Sequence, residues 1–168
     1  KVSVFLRREN GSYGPPVTYP VGHSASAIAA ADLNSDARSD LVVANAADNT
    51  LSVLIAGEAG TLLPQTFLPA GIAPEAVTIG DVNLDGRLDI VAANYASNEL
   101  SIHLGNGSGQ FGAPLKVTVS DGPFDVVLAD FNRDGNLDAA ARKNNAAEVG
   151  VLMGRGDGTF GPENRFPV

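Results

Sequence analysis

The sequence predicts an all-β fold of β-propeller blades, each with four antiparallel strands in about 49 residues, giving three full blades and an outer half-blade. Three observations predict it. A nine-residue Asp/Asn stretch occurs three times, at intervals of 49 residues and with no insertion between copies. Between the copies, apolar residues alternate or form short runs bounded by Gly and Pro, which is strand patterning and not helical periodicity. The segment before each Asp/Asn stretch is poor in bulky side chains. That suits an innermost strand, where blades converge.

The elements follow in register. Val2-Ser-Val-Phe-Leu6, Leu51-Ser-Val-Leu-Ile55, Leu100-Ser-Ile-His-Leu104 and Val149-Gly-Val-Leu-Met153 read as the third strand of successive blades. A Gly-rich turn follows, such as Gly105–Gly109, and then a corner at Tyr13, Leu62, Phe111 or Phe160. The fourth strand falls at Val17–Val21, Phe67–Ala70 or Leu115–Val119. Pro20, Pro69 and Pro167 mark it as an edge strand, because proline lacks a donor for a further partner. The first strand is Ala27–Ala31, Ala76–Gly80 or Asp125–Ala129, and the second is Asp40–Asn45, Asp89–Asn94 or Asp138–Lys143. No helical stretch is expected. The chain thus divides as a half-blade at 1–21 and blades at 22–70, 71–119 and 120–168. A ring needs at least four blades, so the expectation is a segment of a larger propeller or a chain that associates with itself to complete a ring.

The repeated stretch carries the chemistry. In Asp81-Val-Asn83-Leu-Asp85-Gly86-Arg87-Leu-Asp89, the side-chain oxygens of Asp81, Asn83, Asp85 and Asp89 and the carbonyl of Arg87 can converge on one point. Gly86 permits the sharp turn. An oxygen-only donor set points to Ca²⁺ in preference to a transition metal. The flanking copies place Asp32, Asn34, Asp36, Arg38 and Asp40, and Asp130, Asn132, Asp134, Asn136 and Asp138, at the same positions. The first copy has Ala37 where the others have Gly86 and Gly135. If that residue needs a positive φ, alanine costs about 1 kcal/mol and the first site is weaker. An EF-hand is excluded, because loop position 12 is Val43, Ala92 or Ala141 instead of Glu. The alternative is a set of Asp/Asn turns capped by their own side chains. Such clustered carboxylates repel one another when no cation is present.

Composition agrees. The net charge is −8, and nine of the 19 acidic residues lie in the three loops; the remaining ten nearly match the 11 Lys and Arg. Acidity of this kind argues against nucleic acid as a partner. No apolar run is long enough for membrane insertion by a helix. The chain has no cysteine, hence no disulfide and no thiolate chemistry; this says little about compartment, because an extracellular protein can use calcium in place of disulfides. No catalytic residue is expected. His23 and His103 occupy different repeat positions, and no Ser-His-Asp arrangement has supporting context. Arg142 and Lys143 interrupt an otherwise apolar strand, either as a solvent-facing strand end or as a binding or interblade salt-bridge site. Asn45, Asn94-Tyr95 and Lys143-Asn144-Asn145, at corresponding strand ends, are read as turn formers or as a polar surface for sugars or peptides.

The pairing of Gly109-Gln-Phe-Gly-Ala-Pro114 with Asp130-Phe-Asn-Arg-Asp-Gly-Asn-Leu-Asp138 resembles the FG-GAP repeat, also called the VCBS repeat, of integrin α-chain propellers and many bacterial secreted proteins. The resemblance implies a propeller with Ca²⁺ between the first two strands of each blade. It also implies a non-enzymatic adhesion or interaction role, an extracellular or cell-surface location, and a protein or carbohydrate ligand. Tyr13 and Leu62-Leu63 depart from the Phe-Gly corner. The alternatives are an accessory or catalytic propeller of a carbohydrate-active enzyme of lyase or dehydratase type, and a purely structural spacer.

Overall fold

The computed structural model describes residues 1–144 and 147–168, so Asn145 lies outside the described residues. The strands are β1 (Val2–Val4), β2 (Val17–Tyr19), β3 (Ala25–Ala31), β4 (Asp40–Asn45), β5 (Thr50–Leu54), β6 (Thr66–Pro69), β7 (Pro74–Gly80), β8 (Asp89–Asn94), β9 (Glu99–His103), β10 (Leu115–Thr118), β11 (Pro123–Ala129), β12 (Asp138–Lys143), β13 (Glu148–Gly154) and β14 (Phe160–Pro167). They form a β1-β2 pair and three antiparallel sheets of four, β3-β4-β5-β6, β7-β8-β9-β10 and β11-β12-β13-β14. Each sheet is a blade running consecutively from inner to outer strand. A short 3-10 turn at Glu58–Gly60 is the one departure from an all-strand reading among the described residues. It closes a Gly-rich turn and buries no side chain. No helix among the described residues is long and apolar enough to cross a membrane.

Burial explains why the strands differ in composition. The second strand of a blade has neighbours on both edges and both faces. In β8, Asp-Ile-Val-Ala-Ala-Asn is buried at every position. Such a strand reads as a continuous small-to-medium apolar run instead of an alternating one. The innermost strands β3, β7 and β11 lie side by side, β7 packing against both others. Each has a bulge at the same repeat position, between Ala25 and Ala27, Pro74 and Ala76, and Pro123 and Asp125. The extra residue sharpens the local twist where blades crowd together. At one of these bulges, Ser26 Oγ donates to the Pro74 carbonyl of the next blade at 2.6 Å.

Of the outer strands, β2 and β10 end earlier than the sequence implies, β6 keeps its length but starts one residue sooner, and β14 extends back to take in the aromatic corner at Phe160. Elsewhere the corner residue makes a single antiparallel bridge back past the third strand: Arg7 with Tyr13, Ala56 with Leu62, and Gly105 with Phe111. Tyr13 and Leu62 fill the role of Phe without altering the connection. The core lies between the blades. One cluster joins Leu33, Val42, Ala44, Leu51 and Val53 of the first full blade to Ile90 and Ala92 of the second. The other joins Val91, Ala93, Leu100 and Ile102 to Val126, Ala139 and Leu152.

Candidate metal centres

Each Asp/Asn stretch forms the connection between the first and second strands of a blade, and the three have one conformation. The fourth and sixth residues are left-handed in every copy: Ser35 and Ala37 (φ 61° and 64°), Leu84 and Gly86 (58° and 79°), Arg133 and Gly135 (64° and 90°). The expectation that position six needs a positive φ is met, and Ala37 adopts it despite the steric cost. The left-handed residue at position four has no sequence mark, because Ser, Leu and Arg are not residues that favour such a φ.

The hydrogen bonds repeat as closely. The first carboxylate accepts the amide of residue five through one oxygen (Asp36 N 3.1 Å, Asp85 N 3.2 Å, Asp134 N 3.2 Å). Its other oxygen accepts the amide of residue six (Ala37 N 2.7 Å, Gly86 N 2.8 Å, Gly135 N 3.0 Å). Asn34, Asn83 and Asn132 each accept the amide of residue five and donate through Nδ2 to the carboxylate of residue five, at 2.9, 3.1 and 2.9 Å. That second carboxylate in turn accepts the amide of residue seven, from Arg38, Arg87 or Asn136.

The last Asp of each loop has a distinct place. Asp40, Asp89 and Asp138 are fully buried. One oxygen accepts the amide of the loop's second residue, from Leu33, Val82 or Phe131, at 2.9, 3.0 and 2.9 Å. The other accepts an amide just beyond the third strand or at its end, from Ala56, Gly105 or Gly154, at 2.7, 2.8 and 2.8 Å. This carboxylate ties the loop to the far side of its own blade. Sequence spacing marks it as a ligand position, but nothing in the spacing shows this second task.

The electrostatics follow. Burial pushes the Asp89 carboxyl up; amides of Gly105 and Val82 oppose this, and the charges of Asp85 and Asp81 add to the rise. At Asp32 desolvation also raises the carboxyl, but the amides of Ala37, Asp36, Asn34 and Ser35 outweigh it and hold the group below its ordinary value. The amide of Asn136 and the side chain of Asn132 hold Asp134 below its ordinary value. In the first two loops an arginine also reaches the fifth-position carboxylate, Arg38 to Asp36 at 2.6 Å and Arg87 to Asp85 at 3.6 Å. Asn136 leaves the third loop without that cation.

The donor set suits a hard cation. Every candidate ligand is an oxygen, and a carboxylate oxygen that accepts one N–H keeps further acceptor capacity. Among the described residues no group of three or more Asp, Glu, His or Cys side chains converges closely enough to hold a metal. In each loop the first and fifth carboxylates flank the Asn, while the ninth is turned into the blade.

The remaining candidates resolve as structural parts. Asn45 and Asn94 are fully buried, so they offer no ligand surface. Their amides donate to Ser52 Oγ at 2.9 Å and Ser101 Oγ at 3.0 Å, and Gly22 and Gly71 pack on the same Asn side chains. In the third blade all of these positions change together, to Ser120, Lys143 and Gly150, and Glu163 lies over Gly150. Lys143 is 3% exposed, pairs with Glu163 and donates to the Ser120 carbonyl at 2.6 Å. The salt bridge therefore lies within one blade and is neither solvent-facing nor interblade. Desolvation raises the Glu163 carboxyl, but bonds from Lys143 and Ser120 win and hold it low. Arg142 is the exposed member, its guanidinium 4.7 Å from the Phe124 ring centre. Phe124 meets Tyr95 edge-on at 6.3 Å. His103 is fully buried in β9, and burial pushes it down to about 4. His23 is exposed and binds Asp48 at 3.0 Å.

Comparison with known proteins agrees with this architecture. The sequence pattern of an FG-GAP-like repeat matches residues 32–92 and 81–141, more than half of the chain. No curated protein matches the sequence. Among solved structures, a functionally unknown protein from Desulfotomaculum acetoxidans is similar with a TM-score of 0.72 and 18% identity, over 95% of this chain and 46% of that one. Hydrazine synthase from Kuenenia stuttgartiensis is similar with a TM-score of 0.61 and 19% identity, over 98% and 43%. The V. cholerae biofilm matrix protein Bap1 is similar with a TM-score of 0.53 and 18% identity, over 89% and 22%. The chain spans less than half the length of each. At such identities the likeness speaks to the fold.

Proposed function

Because the chain belongs to the FG-GAP-like repeat family, we propose that it is a calcium-braced, non-enzymatic interaction or adhesion module that works outside the cell. The observation that carries this reading is the repetition in all three loops of the two left-handed residues and of the bonds made by the first, third, fifth and ninth residues, with an oxygen at every donor position. Asp32, Asn34, Asp36, Asp40 and the Arg38 carbonyl would have to draw together around one ion, as the acidic side chains among the described residues do not converge closely enough to hold it. Asp81, Asn83, Asp85, Asp89 and the Arg87 carbonyl would hold the second, and Asp130, Asn132, Asp134, Asp138 and the Asn136 carbonyl the third. The ion neutralises carboxylates gathered at each inner turn, and no catalytic step is assigned to it. Three ions would bring the net charge from −8 to about −2. Extracellular calcium modules work at roughly 10⁻⁴–10⁻³ M, which fits a location where calcium is abundant. A protein or carbohydrate ligand would then meet the exposed loop edges, where Tyr95, Phe124 and Arg142 form one contiguous group.

The test is a calcium titration by calorimetry with thermal melting in calcium and in chelator. Two or three sites are expected, together with a higher melting temperature in calcium, since a ligand that binds only the native state stabilises it. No heat and no shift would remove calcium from the reading and leave the loops as self-capped turns.

A further inference from the structure

Two turns between third and fourth strands share a chemically labile pair. The chain has two Asn-Gly steps, Asn10-Gly11 before β2 and Asn106-Gly107 before β10, and a serine follows each. Asparagine amides are thermolabile, and glycine offers no side chain to hinder attack by its own backbone nitrogen. Asn10, Ser12, Asn106 and Ser108 are all exposed. At both sites the Asn Oδ1 accepts the amide and the hydroxyl of the serine, at 3.0 and 2.7 Å from Ser12 and at 2.9 and 2.7 Å from Ser108. The Gln110 amide adds a third donor to Asn106 Oδ1 at 3.4 Å. Donors on that oxygen polarise the carbonyl and stabilise the negative charge that gathers there when a nucleophile adds to the carbon.

The two sites part at the glycine nitrogen. The Gly11 amide donates to the Arg8 carbonyl at 2.9 Å, so its proton is engaged inside the turn. Among the described residues, the Gly107 amide donates to nothing. Arg87 lies against Gly107 instead: a Cβ built there would meet Arg87 Cδ at 3.2 Å and Nε at 3.5 Å. A guanidinium is a permanent cation, so it favours negative charge on the nitrogen and on the oxyanion that follows. The other full blades lack this combination. Gly57 and Arg155 stand at the Asn106 position, and Asn136 replaces Arg87 in the third blade.

We propose that Asn106 is a self-modification site, where the Gly107 nitrogen attacks the Asn106 side-chain carbonyl and the amide becomes a carboxylate. Hydroxide takes the Gly107 amide proton. The nitrogen bonds to Cγ, the bond from Cγ to Nδ2 breaks, and ammonia leaves with a proton from water. Water then opens the succinimide. Breaking the bond from nitrogen to Cγ gives aspartate; breaking the bond to the Asn106 backbone carbonyl gives isoaspartate. The net change is one water consumed and one ammonia released. Arg87 also faces Asp85 of the second Asp/Asn loop at 3.6 Å, so the modification sets a second carboxylate in competition with Asp85 for one cation.

The test is incubation of the intact protein in chelator at mildly alkaline pH, with peptide mapping by mass spectrometry and isoaspartate scored by enzymatic methyl transfer. Synthetic peptides of residues 8–14 and 104–110 are run beside it. Asn106 should convert several-fold faster in the folded chain than in its peptide, and Asn10 several-fold slower than in its own. Ser108→Ala and Arg87→Gln, both at exposed positions, should each slow Asn106 several-fold and leave Asn10 unchanged, with thermal melting confirming that both variants fold. Arg87 is absent from the 104–110 peptide, so its effect reports the folded turn and not the local sequence. Conversion of Asn106 no faster than in the peptide, Asn10 converting as fast as Asn106, or a rate that Arg87→Gln leaves unchanged would each overturn the proposal.

Discussion

Ala37 shows how much one methyl group decides. It holds φ 64° in a loop whose other copies use glycine. A Cβ on Gly86 or Gly135 would meet nothing within 4 Å, so the cost at Ala37 is conformational and not steric crowding by neighbours. Ala37→Gly should therefore stabilise the chain, by about 1 kcal/mol or less once the greater freedom of glycine in the unfolded chain is counted. Chemical denaturation of the two proteins in chelator checks the backbone effect, and a calcium titration checks whether the first loop tightens. His103 gives the residue-scale pH dependence. Its ring is fully buried, and burial outweighs the opposing contact with the Gly112 backbone, so its value falls from 6.5 to about 4. Protonation therefore favours the unfolded chain. The stability is fully present above about pH 6.5 and is lost as pH falls toward 4, by about 3 kcal/mol at most. Leu54 and Leu152 fill the equivalent place. His103→Leu should melt nearly as the parent at neutral pH and clearly higher at pH 5. Equal losses in both proteins between pH 7 and 5 would show that His103 does not carry the effect.

At the scale of the element, the third blade shows that neighbouring strands change as a set. Asn94 and Ser101 on β8 and β9, with Gly71 packed above, become Lys143 and Gly150 on β12 and β13, with Ser120 and Glu163 completing the group. Removing one partner of a buried ion pair strands the other charge, so Lys143→Ala should cost about 3–5 kcal/mol. Replacing Ser120, Lys143, Gly150 and Glu163 together by Gly, Asn, Ser and Gln should come close to neutral or stabilise, because the first full blade's neutral set, Gly22, Asn45, Ser52 and Gln65, replaces the pair. Urea denaturation of the single and quadruple variants distinguishes the two results. A quadruple variant as damaged as the single one would place the cost in packing and not in charge. This element also marks a limit of sequence reading. The strands, their order and the inner place of the small-residue strand were legible, since period, alternation and Pro positions report one blade at a time. The Lys143 partner was not, because Glu163 is brought to it by pairing across two strands and leaves no local signature. The three loops were legible as copies of one Asp/Asn stretch joining the first and second strands. The buried tie made by Asp40, Asp89 and Asp138 was not, because the donor amide lies at or just beyond the end of the third strand, 16 residues along the chain.

At the scale of the whole molecule, stability lies between blades more than within them, since the buried clusters span adjacent sheets. The second residue of each Asp/Asn loop, Leu33, Val82 or Phe131, gives a direct measure because one repeat position occurs in different surroundings. Leu33 and Val82 are each 3% exposed, whereas Phe131 is 49% exposed. Truncating a buried leucine costs about 2–5 kcal/mol, so Leu33→Ala should fall in that range; Val82→Ala should cost somewhat less for its smaller side chain. Phe131 is the largest of the three, and residue size alone would make Phe131→Ala the most damaging change. Burial reverses the order, because a half-exposed ring has little apolar area to return to water and leaves no closed cavity. Phe131→Ala should therefore fall within about 1 kcal/mol of the parent. Equilibrium denaturation of the three variants ranks them. Leu33 above Val82 above Phe131 would show that insertion of this residue into the next blade, and not the side chain itself, holds adjacent repeats together; a loss at Phe131 as large as at Leu33 would sink that account.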